Sequence, residues 1–399
     1  MSTLKKEYPL FKVHIQSEEA LSNIKEVFES GFINEGLQVT QLTKAIEARF
    51  NTEHVCLTNS CTSAITMAIR LSTKDVSCLY PGESESLPVI TSPMTCVASN
   101  MPILNTGNEI VWADVEPNTG MIDPKDVDKI LTELDFPAPV IAVAWAGSPP
   151  KLNELRRVCD KHGSALILDA AHAFDARYDK RYIHSIPDFT AYSFQAIKHF
   201  TTGDGGALIC KDEMHHQLAQ EMKWFGINRN TSKDSNGNWK GKQWDVDIDA
   251  EGYKFNMNNI AAAIGLSQLN HIDDIIIKHR LNAETYDSMF KDNSDFVKLT
   301  KRSSKDSSSF WVYTMFLNTT KQKKRDKLLT KLQNLGIKAG VVHVPNHRYS
   351  CFNHIYRDLP GVDKFYNKQF SLPCGWWLDS YDIKEIANTT LKVAKEILK

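Results

Sequence analysis

Lys198 stands in the run Ser193-Phe194-Gln195-Ala196-Ile197-Lys198-His199-Phe200-Thr201-Thr202-Gly203-Asp204-Gly205-Gly206, where a strand-like segment hands a lysine to a loop that ends in glycines. Such a frame presents a reactive amine on rigid backbone. Twenty-nine residues earlier, Ala165-Leu166-Ile167-Leu168-Asp169 is a short apolar run that ends in a carboxylate. A third element, Thr58-Asn59-Ser60-Cys61-Thr62-Ser63-Ala64, puts hydroxyls at the start of an apolar-periodic helix, where free backbone N–H groups and the helix dipole favour a phosphate. Ser193 adds a hydroxyl five residues before the lysine. Pyridoxal phosphate (PLP) requires these parts: an amine to bond to it, a carboxylate to keep its ring nitrogen protonated, and a cradle for its phosphate. Singly, the lysine reads as a surface residue whose stem covers apolar area, and the hydroxyls as ordinary helix caps. Their convergence points to PLP.

The elements that must position these groups follow an alternating order. Between about residues 40 and 210, short apolar runs (Pro88-Val89-Ile90, Glu109-Ile110-Val111-Trp112, Val140-Ile141-Ala142-Val143-Ala144, Ala165-Leu166-Ile167-Leu168) alternate with helix-like segments. That order predicts crossover units and a mainly parallel sheet. Lys151 to Cys159 has helical spacing and stops at Lys161-His162-Gly163. Asp169 is thereby placed at a strand's C-terminal end, where ligands of open α/β sheets bind. From Arg229 to Gly252 the chain is polar and rich in glycine and aspartate, a long excursion. A helix-like stretch through Asn259–Leu269 and a long helix across Ile272 to Phe290 follow. A second polar break at Arg302 to Ser309 carries five serines and marks a boundary.

Composition narrows the classes. A chain of 399 residues, 42% hydrophobic and 24% charged, is long enough for two domains and ordinary for a globular protein. A formal net charge of −1 gives no electrostatic reason to expect nucleic acid or an anionic membrane as partner. No apolar stretch approaches the roughly 20 residues of a membrane-spanning helix, and MSTLKKEYPLFKV lacks a signal-peptide core, so a cytoplasmic protein is expected. Eight cysteines, none in a C-x-x-C pair, predict neither a zinc knuckle nor a disulfide framework, and most are expected to be small buried hydrophobes. No metal is expected.

With these parts assembled, the sequence resembles the DegT/StrS-type sugar aminotransferases, of the aspartate aminotransferase-like fold type I. The resemblance runs through Gly36-Leu37-Gln38-Val39, Asn59-Ser60-Cys61-Thr62-Ser63-Ala64, Ser92-Pro93-Met94-Thr95-Cys96, Asp114-Val115-Glu116-Pro117, Asp169-Ala170-Ala171-His172-Ala173, the Lys198 segment, Gly252-Tyr253-Lys254-Phe255-Asn256 and Ser371-Leu372-Pro373. It implies an α/β fold: a large PLP-binding domain over 1–270 with a central, mostly parallel sheet, and a smaller C-terminal α+β domain over 271–399 that begins with a long helix. The N-terminal segment is expected to pack with the smaller domain.

By the same resemblance, Lys198 is the lysine that bonds to PLP, Asp169 the partner of the ring nitrogen, and His172 the residue near the ring hydroxyl. Thr62, Ser63 and Ser193 are phosphate binders. A homodimer with shared active sites is implied, in which one subunit's Gly-Tyr-Asn-type segment completes the neighbour's phosphate site. Here Lys254 replaces that asparagine and Asn256 lies two residues on, facing the same side if the segment is extended. Cys96 stands where the family carries an aromatic residue that stacks on the ring.

The implied reaction moves an amino group from a donor, L-glutamate, to a keto-sugar, most often a nucleotide-linked keto-deoxysugar for lipopolysaccharide, other surface polysaccharide or natural products. Candidate substrate contacts are Asn34, Glu35, Arg229, His343, Asn346 and Arg348. An arginine suits a carboxylate or diphosphate through bidentate pairing, which leaves a free keto-sugar acid of the 8-keto octulosonate type as an alternative acceptor. Two remoter alternatives are a PLP-dependent sugar dehydratase, whose relatives carry histidine in place of the lysine, and a non-catalytic sensor or binding protein. Lys198 argues against the first, although His199 adjoins it, and the full lysine, aspartate and phosphate-loop set argues against the second.

Overall fold

The computed structural model describes residues 6–72, 87–227, 248 and 250–399. Among the described residues, nine strands lie between residues 55 and 210: β1 (Val55–Thr58), β2 (Pro88–Thr91), β3 (Glu109–Trp112), β4 (Val140–Val143), β5 (Leu166–Asp169), the two-residue β6 (Arg177–Tyr178) and β7 (Arg181–Tyr182), β8 (Phe189–Ser193) and β9 (Gly206–Cys210). β6 and β7 pair with each other, and β6 also bridges Ser307 through Arg177. The other seven form one sheet in the order β1-β9-β8-β5-β4-β2-β3. The ladders joining β3, β2, β4, β5 and β8 are parallel, and those joining β8, β9 and β1 are antiparallel.

Helices α1 (Ser17–Ser30), α2 (Leu37–Phe50), α3 (Cys61–Ser72), α4 (Val97–Asn105), α5 (Pro124–Leu134), α6 (Leu152–His162), α7 (Glu213–Met222) and α8 (Asn259–Leu269) cover this sheet on both faces. The strands of this sheet are mostly apolar because both faces are largely buried, as in parallel sheets generally. Side-chain alternation divides them: Leu166 and Leu168 of β5 join one core with Val127, Leu152 and Leu155, while Ile167 joins the opposite core with Ala64, Met67 and Ile103. The stop expected after α6 is Gly163 at φ 66°, a left-handed cap that releases the chain into β5.

The rest of the chain supplies α9 (Ile272–Phe290), β10 (Val297–Leu299), β11 (Tyr313–Leu317), α10 (Gln322–Asn334), α11 (Pro360–Tyr366), β12 (Gln369–Leu372) and α12 (Ser380–Leu398). The three strands form a second, antiparallel sheet, and a third core lies between it and α9, α10 and α12. Tyr8 adds to this layer through a parallel bridge to Ile337 and a 2.6 Å hydrogen bond from its hydroxyl to Glu385. Among the described residues no single helix is long and apolar enough to cross a membrane.

The serine-rich stretch at 302–309 is not the loose break that its composition suggested. Ser307 and Arg177 exchange backbone hydrogen bonds of 2.9 Å, Ser309 N–H donates to Gly147 O (3.0 Å), and the Ser309 hydroxyl donates to Phe174 O (2.6 Å). The hydroxyls and amides are used to dock the segment, and the docking carries Trp311 to the end of the large sheet.

Candidate active site

β5 and β8 are parallel neighbours, so their C-terminal ends emerge side by side. From β8 the chain turns through Lys198, whose backbone N–H donates to Gln195 O (2.9 Å), and returns as Thr202 N–H donates to Phe194 O (2.9 Å). Lys198 Nζ lies 3.8 Å from the centre of the Trp311 ring, and the Trp311 indole N–H donates to Ile197 O (2.9 Å). Burial pushes the Lys198 amine down to about 8, against the opposing pull of Asp169.

Asp169 ends β5 and is buried. Its Oδ2 accepts from the Ser99 hydroxyl at 2.5 Å and its Oδ1 from Ala171 N–H at 2.9 Å. Burial raises its carboxyl, while Ser99, the Ala171 N–H and Lys198 hold the rise back. Ser99 sits in α4, and its hydroxyl also meets that of Thr95 at 2.7 Å.

His172 packs flat on Trp311, with ring centres 3.9 Å apart, and the His343 ring lies near both, 5.5 Å from His172 and 6.4 Å from Trp311. Burial first, then Lys198 and His343, holds His172 well below the ordinary imidazole value. His343 is held at about 3 by burial and by Lys198. His172 Nδ1 is buried without a hydrogen-bond partner among the described residues. Cys96 stands just before α4, and Cys61 at the start of α3 is buried. Both thiols lie within electrostatic reach of Lys198.

The start of α3 is tied by its own polar groups. The Ser63 hydroxyl donates to Asn59 Oδ1 (2.6 Å) and meets the Ser60 hydroxyl at 2.9 Å, and Ser63 N–H donates to Ser60 Oγ (3.1 Å). Thr62 is partly buried beside it, and Ser193 is buried at the end of β8. Gly206 lets this helix start abut the sheet, because a Cβ there would stand 2.5 Å from Cys61 N and 2.6 Å from the Ser60 carbonyl carbon.

The 254–256 segment runs beside the same loop: Asn59 N–H donates to Phe255 O (2.7 Å) and Asn256 bridges Thr58. Lys254 Nζ donates to Asn256 Oδ1 (2.6 Å), so the two side chains share a side. Asn256 Nδ2 donates in turn to Asn34 Oδ1 (3.1 Å). Glu35 next to it forms a 2.6 Å ion pair with Lys223, both side chains largely buried.

The remaining sequence candidates separate. His343 is in the Lys198 group. Asn346 is fully buried: its amide donates to Thr95 O (2.8 Å) and accepts from Asn100 (2.9 Å), which locks the loop before α4. Arg348 pairs with Asp363 (2.6 Å) and covers the Tyr366 ring. Arg229 lies outside the described residues. His199 is turned away from the site, buried with Nε2 2.9 Å from Ser309 O and its ring against His279. Sequence reasoning missed Ser99, Trp311 and Lys223. Ser99 lay three residues past a position already singled out, whereas nothing near Trp311 in the chain marks it. A cleft of about 980 Å³ opens beyond Phe310, lined by Lys151, Tyr178, Arg280 and Arg302 among others, and none of the sequence candidates among the described residues borders it.

The group fits PLP. It offers an amine shifted toward neutrality, a buried carboxylate held by two donors, an unpartnered imidazole nitrogen and a helix start rich in N–H and O–H groups.

Comparison with known proteins agrees. The chain is 28% identical over 392 residues to the spore coat polysaccharide biosynthesis protein SpsC of Bacillus subtilis (strain 168), covering 96% of this chain and 97% of that one. It is 28% identical over 371 residues to the UDP-4-amino-4,6-dideoxy-N-acetyl-beta-L-altrosamine transaminase of Helicobacter pylori (strain ATCC 700392 / 26695), covering 92% and 93%. The crystal structure of the sugar aminotransferase CalS13 from Micromonospora echinospora superposes with a TM-score of 0.85 at 29% identity, covering 96% of this chain and 99% of that one. A profile of the DegT/DnrJ/EryC1/StrS aminotransferase family, whose members are PLP-dependent transaminases, matches residues 14–391. With that match spanning nearly all of a chain whose sheet ends bring Lys198 and Asp169 together, the protein belongs to the DegT/DnrJ/EryC1/StrS aminotransferase family.

Proposed function

We propose that this protein moves an amino group from L-glutamate to the keto group of a nucleotide-linked keto-deoxysugar, in the cytoplasm, as a homodimer, in the synthesis of a surface polysaccharide such as lipopolysaccharide. The observation that carries the transamination is the Lys198 amine against the Trp311 ring, within electrostatic reach of the Asp169 carboxylate. The sugar class rests on the relatives, one named for a UDP-amino sugar and one for spore coat polysaccharide. The pairing of subunits is supported by exposed Phe28, Phe32, Ile33 and Leu37, which flank Asn34 and Glu35 and form apolar surface beside the polar group at 254–256.

In this reading Lys198 Nζ bonds to PLP, Asp169 holds its ring nitrogen, and His172 Nδ1 meets its ring hydroxyl. Thr62, Ser63 and Ser193 take its phosphate, with Lys254 or Asn256 from the partner subunit. PLP supplies an electron sink for the charge that develops when a C–H bond is broken. Ser99 and the Ala171 N–H stabilise the ionised form of Asp169, which would hold a positive charge on the ring. Lys198 Nζ, which burial brings closer to neutrality, would, once displaced by the donor's amine, take the proton from the donor's α-carbon and deliver one to the acceptor's former keto carbon. The Trp311 ring lies 3.8 Å from the amine and is itself stacked on His172. His343, held neutral, faces the acceptor. Asn346 holds the loop before α4 instead of touching substrate.

The test is a half-reaction followed by absorbance. L-glutamate should bleach the visible band of the holoenzyme, and a nucleotide-linked keto-deoxysugar should restore it, with neither change in Lys198→Arg. Restoration by a free keto-sugar acid but by no nucleotide-linked sugar overturns the substrate class. No bleaching with any amino acid overturns the transaminase reading of this site.

A further inference from the structure

Away from the Lys198 site, at the open edge of the large sheet, His54, Glu213 and His216 turn one ligand atom each toward a common point. His54 precedes the edge strand β1, and Glu213 and His216 lie one turn apart on α7. His54 Nδ1 is 3.3 Å from Glu213 Oε2, His216 Nδ1 is 3.9 Å from the same oxygen, and all three atoms lie within 4.8 Å of one another. Two donors bound tetrahedrally at about 2.0–2.1 Å stand roughly 3.3 Å apart, so the spacing suits a tetrahedral ion after small side-chain adjustments.

Two further observations bear on a ligand. His54 Nδ1 is buried and makes no hydrogen bond among the described residues, the 3.3 Å approach to Glu213 lacking hydrogen-bond geometry. A polar atom in that state costs free energy unless something satisfies it. His216 Nε2 lies 3.3 Å from the Val55 carbonyl, which can only accept, so the ring proton belongs on Nε2 and the lone pair on Nδ1 faces Glu213. The Gln220 amide nitrogen stands 2.9 Å from the same Nε2 and 3.4 Å from Val55 O, and with Nε2 protonated that amide must turn over to offer the N–H its oxygen. A backbone carbonyl fixing the tautomer from behind is the usual support of a metal-bound histidine.

We propose that His54, Glu213 and His216 bind one Zn²⁺ ion per chain, with the fourth position open to water. Two imidazoles and one carboxylate match zinc, whereas Mg²⁺ and Ca²⁺ seek all-oxygen shells. The ion joins α7 to β1, a strand paired on one side only. α7 leads directly into Lys223, which holds Glu35, so the clamp steadies the element that carries this ion pair. Its role is structural, and it takes no part in the transfer of the amino group.

The experiment titrates the PLP-loaded, dialysed protein with Zn²⁺, by calorimetry and by competition with a chromophoric zinc indicator, and follows thermal unfolding in parallel. The comparison is wild type, His216→Ala, Glu213→Gln and, as control, His271→Ala, which removes a partly buried histidine elsewhere that faces Glu19. Glu213 is largely exposed, so Glu213→Gln leaves the fold intact if His216→Ala does not. Expected is saturation at one ion per chain, weakened at least about tenfold in His216→Ala and in Glu213→Gln and unchanged in His271→Ala, with no response to Mg²⁺. Zn²⁺ should raise the melting temperature of wild type and not that of Glu213→Gln, because an ion that binds only the folded state stabilises it. No saturable binding, or binding that Glu213→Gln and His271→Ala weaken equally, overturns the proposal.

Discussion

Replacing Ser99 by alanine removes one hydroxyl that is 70 residues from its partner in sequence and 2.5 Å from it in space. The partner, Asp169, is buried, and burial already pushes its carboxyl up. A hydrogen bond to a charged group contributes about 1.5–3 kcal/mol, and one pKa unit corresponds to about 1.36 kcal/mol. Loss of the bond therefore moves the Asp169 carboxyl a further one to two units, roughly, toward the protonated form. A protonated Asp169 no longer holds a positive charge beside it, so the acid limb of activity shifts to higher pH. The assay is kcat/KM against pH for wild type and Ser99→Ala, with circular dichroism to confirm that the fold is kept. On the acid limb the variant should lose roughly ten- to a hundredfold at fixed pH, and the loss should shrink on the alkaline side. If the limb stays in place and kcat/KM changes less than twofold throughout, Ser99 does not set the charge on Asp169. Thr95→Val, which removes only the hydroxyl behind Ser99, should give a smaller shift of the same sign.

The glycine against the α3 start gives a second expectation. Gly206→Ala drives a Cβ into backbone at 2.5 Å, so the helix start must move, with an expected cost of about 1–3 kcal/mol in urea unfolding and weaker retention of PLP during dialysis. Unchanged values in both would show that the helix start has room. A third concerns pH. His172, His184, His199, His279 and His343 are held below their ordinary value by burial, to about 4 for His184 and His279 and about 3 for His343. Above about pH 6.5 both folded and unfolded chains carry them neutral. Below it the unfolded chain binds protons that the fold refuses, so stability falls as pH drops from about 6.5 toward 4, by up to about 1.4 kcal/mol per pH unit for each histidine. A urea midpoint at pH 5 equal to that at pH 7 would contradict this.

Much of the frame was legible because its signals are local. The apolar runs that became β4 and β5, the Gly163 stop and the long helix from Ile272 to Phe290 each lie within a window of a few to some twenty residues. Asp169 was legible at the end of β5, and Lys198 in the loop that follows β8, for the same reason. Five of the cysteines are buried in the described residues, Cys96 is partly buried and Cys351 exposed, while Cys78 lies outside them.

Other features had no local signal. The serines at 302–309 read as a break, and only their docking on Phe174, Gly147 and Arg177 revealed a segment that delivers Trp311 to a lysine 113 residues away. Asn346 read as a substrate contact because polar loop residues are free until packing engages them. The structure engages it with Thr95 and Asn100. By itself the sequence determined the chemistry on offer and the strands and helices that present it, since residue type and short-range periodicity act over a few residues. Tertiary structure alone decided which groups meet and at what charge. Contacts such as Ser99 to Asp169, and the burial that moves Lys198 to about 8, arise only when distant segments close on one another.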